Sequence, residues 1–201
     1  AMAWVSETDA LAARDALRAL MPRFAFATCV PFGRERSGVL LRAAAYEAPR
    51  DDTLAQIELL LGLAGAEVLR YADRKKGQRR AMRLARVGPD TRLEGFLLAG
   101  DTRAEAWIRT LLQDELPAQS YGRLLLAPGA SAPVAVAARG PQVCTCFNVG
   151  EEAIRDTLAR CAGNEDQRLH TLQDALKCGT NCGSCLPALR RLVRAATPVA
   201  A

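Results

Sequence analysis

Apolar positions along this chain change period as it is read from the N-terminus. Leu11, Leu17 and Leu20 recur at helical spacing, which predicts a helix over Glu7 to Met21. Two strand-like runs follow, "FAFATCV" and "GVLLRAAAY", separated by the turn sequence "PFGRERSG". A second helix is predicted at about Asp52 to Leu61, with start signals in Asp51, Asp52 and Thr53 and a stop at Gly62. Strands are then expected at Glu67 to Tyr71, Arg79 to Val87 and Arg92 to Ala99, joined by turns carrying Gly77 and "GPD". The helix "TRAEAWIRTLL" should start after Asp101 and Thr102, either of which is suited to cap it. Alternating and helical periods mixed in this order predict an α+β fold, a small antiparallel-sheet domain with flanking helices over residues 1–116.

Between Pro117 and Pro141 the composition shifts to Pro, Gly, Ala and Ser with little periodicity, so residues 117–142 are expected to form a connector. From residue 143 to 201 the pattern is helical throughout. "GEEAIRDTLARC" places Ile154, Leu158 and Cys161 on one face, "DQRLHTLQDALKC" does so with Leu169, Leu172 and Leu176, and "CLPALRRLVRAA" with Leu186, Leu189, Leu192 and Val193. A small all-helical domain is predicted. Below about 70–80 residues a unit of this kind commonly needs a metal or another staple.

The chain has 201 residues, half of them apolar, and a formal charge of +5. From Cys144 onward seven Lys or Arg face six Asp or Glu, so nearly all the excess lies upstream. The basic stretch "RYADRKKGQRRAMRLAR" has few aromatics for base stacking and fits a hairpin with a solvated edge, so no nucleic acid partner is expected. The longest apolar runs are too short to span a bilayer and the N-terminus lacks signal-peptide layout, so the expected compartment is the cytoplasm, with no membrane partner.

The chemistry lies in sulfur. There are seven cysteines, an odd number, and four sit in two tight pairs, Cys144 with Cys146 and Cys182 with Cys185, which favours metal over a disulfide framework. The pattern is CxC, 35 intervening residues, then CxxC. A CxxC turn before a helix aims two sulfurs at one point, glycines let backbone amides approach them, and the helix N-terminus favours thiolate. In an extended CxC the two cysteines share a side, with Thr145 turned away. Structural zinc more often uses CxxC or CxxxC for both halves, so the spacing leans toward a [2Fe-2S] cluster, with zinc and disulfide pairing still open. Cys178 adds a CxxxCxxC reading without a suitable fourth partner, and a packing role at the end of the preceding helix is preferred. Cys29 and Cys161 read as small buried hydrophobes. His170 is the single histidine, which excludes any two-histidine site, and no GxSxG, HExxH or GxxxxGK[ST] motif is present.

"VCTCFNV" followed by "LKCGTNCGSCLP" resembles the bacterioferritin-associated-ferredoxin-like [2Fe-2S] domain, over about Val143 to Ala196. The combination is most similar to the version at the C-terminus of the large catalytic subunit of bacterial assimilatory nitrate reductase. The upstream "VLRYADRKKGQRRAMRL … RLEGFLLAGDTRAEAWIRTLL" resembles the preceding segment of the same enzymes and a related pattern in NAD(P)H-dependent nitrite reductases. The resemblance implies a [2Fe-2S] cluster held by Cys144, Cys146, Cys182 and Cys185, relaying electrons to the molybdenum centre. It implies as donor an NAD(P)H flavoprotein reductase, a ferredoxin or a flavodoxin. Molybdopterin and a [4Fe-4S] cluster are expected only in an N-terminal, molybdenum-containing portion that this sequence does not resemble. The opening Ala1-Met2-Ala3 agrees with an excised C-terminal fragment with no catalytic site of its own. Two alternatives are an iron-responsive or zinc-stapled docking module and a piece of a flavin-dependent nitrite reductase.

Overall fold

A computed structural model describes residues 1–33, 36–129 and 141–196. It divides the chain into two compact units, Ala1–Val30 with Arg36–Val136, and Pro31–Glu35 with Ala137–Ala201.

The first unit holds a six-stranded sheet. Its strands are β1 (Met2–Trp4), β2 (Phe26–Phe32), β3 (Gly38–Ala44), β4 (Leu69–Asp73), β5 (Gln78–Val87) and β6 (Asp90–Ala99), in the order β2-β3-β1-β6-β5-β4. β1 pairs antiparallel with β3 and β6, and β5 pairs antiparallel with β6 and β4. The flanking helices are α1 (Glu7–Leu20), α2 (Asp51–Leu60) and α3 (Glu105–Gln113). An α+β unit with an antiparallel sheet agrees with the pattern read from the sequence. β1 does not appear in that pattern, because three residues carry no period, yet Met2 and Ala3 are fully buried in the middle of the sheet.

Local chemistry explains the helix boundaries. Ser6 caps α1, its hydroxyl accepting from the Asp9 amide at 3.2 Å, and Ala13, Leu17 and Leu20 face the core, whereas Leu11 lies in solvent. The expected cap of α3 by Asp101 or Thr102 is corrected. The helix begins at Glu105 after Ala104, with no side-chain cap, because the Asp101 carboxylate instead accepts from the amide and guanidinium of Arg103 at 3.0–3.1 Å.

The solvated-edge reading of the basic stretch needs correction for Arg79, Arg80 and Arg83, while Arg70 stays exposed on the edge strand β4. Arg70 donates to the carbonyls of Leu63, Gly65 and Val68, and Arg83 to those of Trp4, Leu61 and Gly62. Arg79 forms a two-pronged pair with the buried Glu58, both bonds 2.7 Å, and Arg80 is buried beside Asp101 and Leu125. Arg70 and Arg83 thus satisfy backbone carbonyls and Arg79 a buried carboxylate, uses that charge counting along a sequence does not reveal.

The start of the expected connector is ordered on this unit: Ala118 donates to Thr91 O at 2.7 Å, the Tyr121 ring stacks on Trp107, and Leu125 is buried. Residues 130–140 of that stretch lie outside the described residues.

The second unit holds β7 (Gln142–Cys144), β8 (Val149–Gly150), α4 (Glu151–Leu158), α5 (Glu165–Leu176) and α6 (Leu186–Ala195). The expectation of an all-helical domain needs one correction, the short β7–β8 ribbon, whose turn carries half of the cysteine motif. Ile154, Leu158, Leu172, Leu189 and Val193 form the core between the three helices. Asn164 and Gln167 make a reciprocal capping box at the start of α5, and the buried Arg168 donates to Val193 O and Ala196 O at the end of α6. Among the described residues no helix is long and apolar enough to cross a membrane.

Candidate iron–sulfur site

Two turns bring the cysteines together. Cys144 is the last residue of β7, and the chain turns at once through residues 145–148, with Asn148 at φ 51°, before returning as β8. CxC is therefore a turn and not the extended segment expected from the sequence. Its sulfurs converge because the backbone reverses after Cys144. On the other side, α5 ends in the left-handed Lys177 (φ 57°), Gly179 (φ 84°) and Gly183 (φ 72°) continue the turning, and Cys185 sits at the N-terminal boundary of α6. A Cβ on Gly179 would lie 2.7 Å from Leu186 Cδ2, the movable end of a side chain, so it is the φ of 84° that calls for glycine here.

The four predicted residues form one connected set of sulfurs. Cys146 Sγ is 3.2 Å from Cys182 Sγ, and Cys144 contacts both Cys146 and Cys185. Cys144, Cys146 and Cys185 are buried and Cys182 is exposed. Backbone amides point at them: those of Phe147 and Gly179 at Cys144, that of Cys182 at Cys146, and that of Ser184 at Cys182. Amides around the CxxC glycines are expected from the sequence, and those of Gly179, Cys182 and Ser184 fill that role; Phe147, on the CxC side, carries no signal that composition could flag. The Ser184 hydroxyl lies 3.0 Å from Cys182 Sγ.

These surroundings set how the bare thiols share their protons. The Cys146 thiol donates to Cys144, and with the amides of Phe147 and Gly179 it brings Cys144 down to about 5 against burial. Cys146 is pushed up, first because its proton is held by Cys144 and then by burial. Burial, followed by the charge on Cys144, pushes Cys185 up to about 12, so the adjoining helix N-terminus does not make it a thiolate as expected. Burial opposes ionisation of Cys182, but the hydroxyl and amide of Ser184 outweigh it and lower this thiol. The site thus holds one ready thiolate and donors for more, which suits a group that takes charge from several sulfurs at once. Among the described residues no set of three or more His, Cys, Asp or Glu side chains is disposed to hold a single metal ion.

The remaining cysteines separate from this set in different degrees. Cys178 is fully buried beside the site, its sulfur 3.8 Å from Leu172 O, at the end of α5 as expected. Cys161 lies just beyond α4 and not on its face, with its thiol donating to Thr157 O at 3.1 Å. Cys29 is buried in β2, and His170 is exposed beside Asp174.

Residues 142–195 match the BFD-like [2Fe-2S] binding domain. The cofactor of this domain is a [2Fe-2S] cluster, and a string of four convergent sulfurs with amides aimed at them fits it. A nitrate reductase from Klebsiella oxytoca is 47% identical over 60 residues, which amount to 28% of this chain and 6% of that protein. The chain therefore covers only a small part of the relative's length. No solved structure matches.

Proposed function

We propose that this chain is a one-electron relay of a cytoplasmic assimilatory nitrate reductase, passing electrons through its BFD-like domain toward the molybdenum centre that reduces nitrate to nitrite. The observation that carries the reading is the joining of the CxC and CxxC sulfurs into one connected set, inside the segment that matches the family. In this reading Cys144, Cys146, Cys182 and Cys185 hold the cluster, residues 143–201 are the relay domain, 1–116 position it, and 117–142 connect the two.

When bound, the cluster supplies a site that accepts and returns one electron without forming a covalent bond to substrate. The chain's own residues do the rest. Cys144, Cys146 and Cys185 keep their sulfurs out of water, and the amides of Phe147, Gly179, Cys182 and Ser184 offset the negative charge of the thiolates. Cys182 is the ligand that reaches the surface, where an NAD(P)H flavoprotein, a ferredoxin or a flavodoxin would approach. No acid, base or nucleophile is needed.

Anaerobic purification, iron and sulfide analysis and EPR after dithionite test the reading. Two irons and two sulfides per chain, with a rhombic signal near g of about 2, are expected. One tightly bound zinc per chain with no visible absorbance would sink it.

A further inference from the structure

Ser184 stands between Cys182 and Cys185, and its hydroxyl oxygen lies 3.0 Å from the sulfur of Cys182. Both side chains are exposed, whereas the other three cysteines of the set are buried. A sulfur bound to iron carries no proton, so in the loaded protein the hydroxyl must donate and the thiolate accept. The bond therefore falls on the one ligand that meets solvent and an incoming partner.

We propose that Ser184 is a positioning residue that raises the reduction potential of the relay by donating its hydroxyl proton to the Cys182 thiolate. This rests on the electron-relay reading. Hydrogen bonds from a neutral donor strengthen as the acceptor gains negative charge, and hydrogen bonds to the sulfurs are among the factors that set iron–sulfur potentials. The serine bond is thus stronger in the reduced than in the oxidised state and favours uptake of the electron. Ser184 keeps its proton throughout. The electron comes from a reduced flavin or iron–sulfur carrier, which is oxidised by one electron as the site is reduced by one, and no ligand bond forms or breaks. Amides also reach the sulfurs, but they are fixed by the turns, whereas this donor is a side chain that substitution removes without altering the backbone.

The test is a potentiometric titration of the full chain, loaded anaerobically, comparing wild type with Ser184→Ala and Ser184→Thr. Ser184→Ala should lower the reduction equilibrium constant about tenfold, a fall of about 59 mV for one electron. It should retain two irons, two sulfides and the rhombic EPR signal, and Ser184→Thr should return the potential toward that of wild type. An unchanged potential in Ser184→Ala overturns the inference, as does a threonine variant indistinguishable from the alanine one, or loss of the cluster from both. Metal analysis of the wild-type chain comes first, so a chain that takes up no iron and sulfide overturns the relay itself and is not confused with a failure of the serine.

Discussion

Lys177 shows how closely the cysteine loop is constrained. A side chain at φ 57° costs about 1 kcal/mol that glycine avoids, and this residue ends α5 where the chain must turn toward the sulfurs. Lys177→Gly should therefore stabilise the folded chain by about 1 kcal/mol in urea melts, with cluster content unchanged. Gly179→Ala should do the reverse, since φ 84° strains any side chain and a methyl group there would push the Leu186 side chain aside, and it should also disturb the amide that reaches Cys144. The cysteines separate in the same way. Serine at Cys144, Cys146, Cys182 or Cys185 should bleach the visible absorbance, while Cys29→Ser, Cys161→Ser and Cys178→Ser should keep it. Bleaching by Cys178→Ser would mean that the ligand assignment is wrong. The two cysteine pairs were legible in the sequence from their spacing. The Ser184 hydroxyl was not, because a serine between two cysteines says nothing about where its oxygen points.

At the scale of elements, the strong helical and alternating periods predicted α1, α2, β3, β5 and β6 within a residue or two. β1 escaped because its stability comes from strands on both sides and not from its own three residues. The start of α3 was misplaced because Asp101, a good cap by type, is held by Arg103. That pairing has a pH consequence. The Arg103 guanidinium, with its amide, holds the Asp101 carboxyl well below the usual carboxylate range. A depressed folded value contributes stability that is present above the ordinary carboxylate pKa of about 3.9 and is lost as pH falls through the folded one. Thermal melts should show the first unit weakening from about pH 5 downward, and Asp101→Asn should flatten that slope. The Arg79–Glu58 pair ties β5 to α2 by two charged hydrogen bonds, one partner buried, and Glu58→Ala should cost about 2 kcal/mol in urea unfolding.

For the whole molecule, the two units differ in what holds them. The first has a sheet covered by helices and a broad apolar core, while the second has three short helices whose core includes the sulfurs themselves. Removing the cluster with an iron chelator should therefore lower amide protection in residues 141–196, measured by hydrogen exchange, and leave that of the sheet unit nearly unchanged. The sequence by itself determined the helical and strand periods, the α+β class and the CxC–CxxC spacing, since these depend on residue type and separation alone. Only the tertiary structure decided that CxC is a turn, that Cys182 is the exposed sulfur of the four, that Cys178 is sealed beside the site and that four basic residues are bound to the fold. Each of these depends on which distant groups the backbone brings within about 3–4 Å, and hydrogen bonds and burial act at that range and not along the chain.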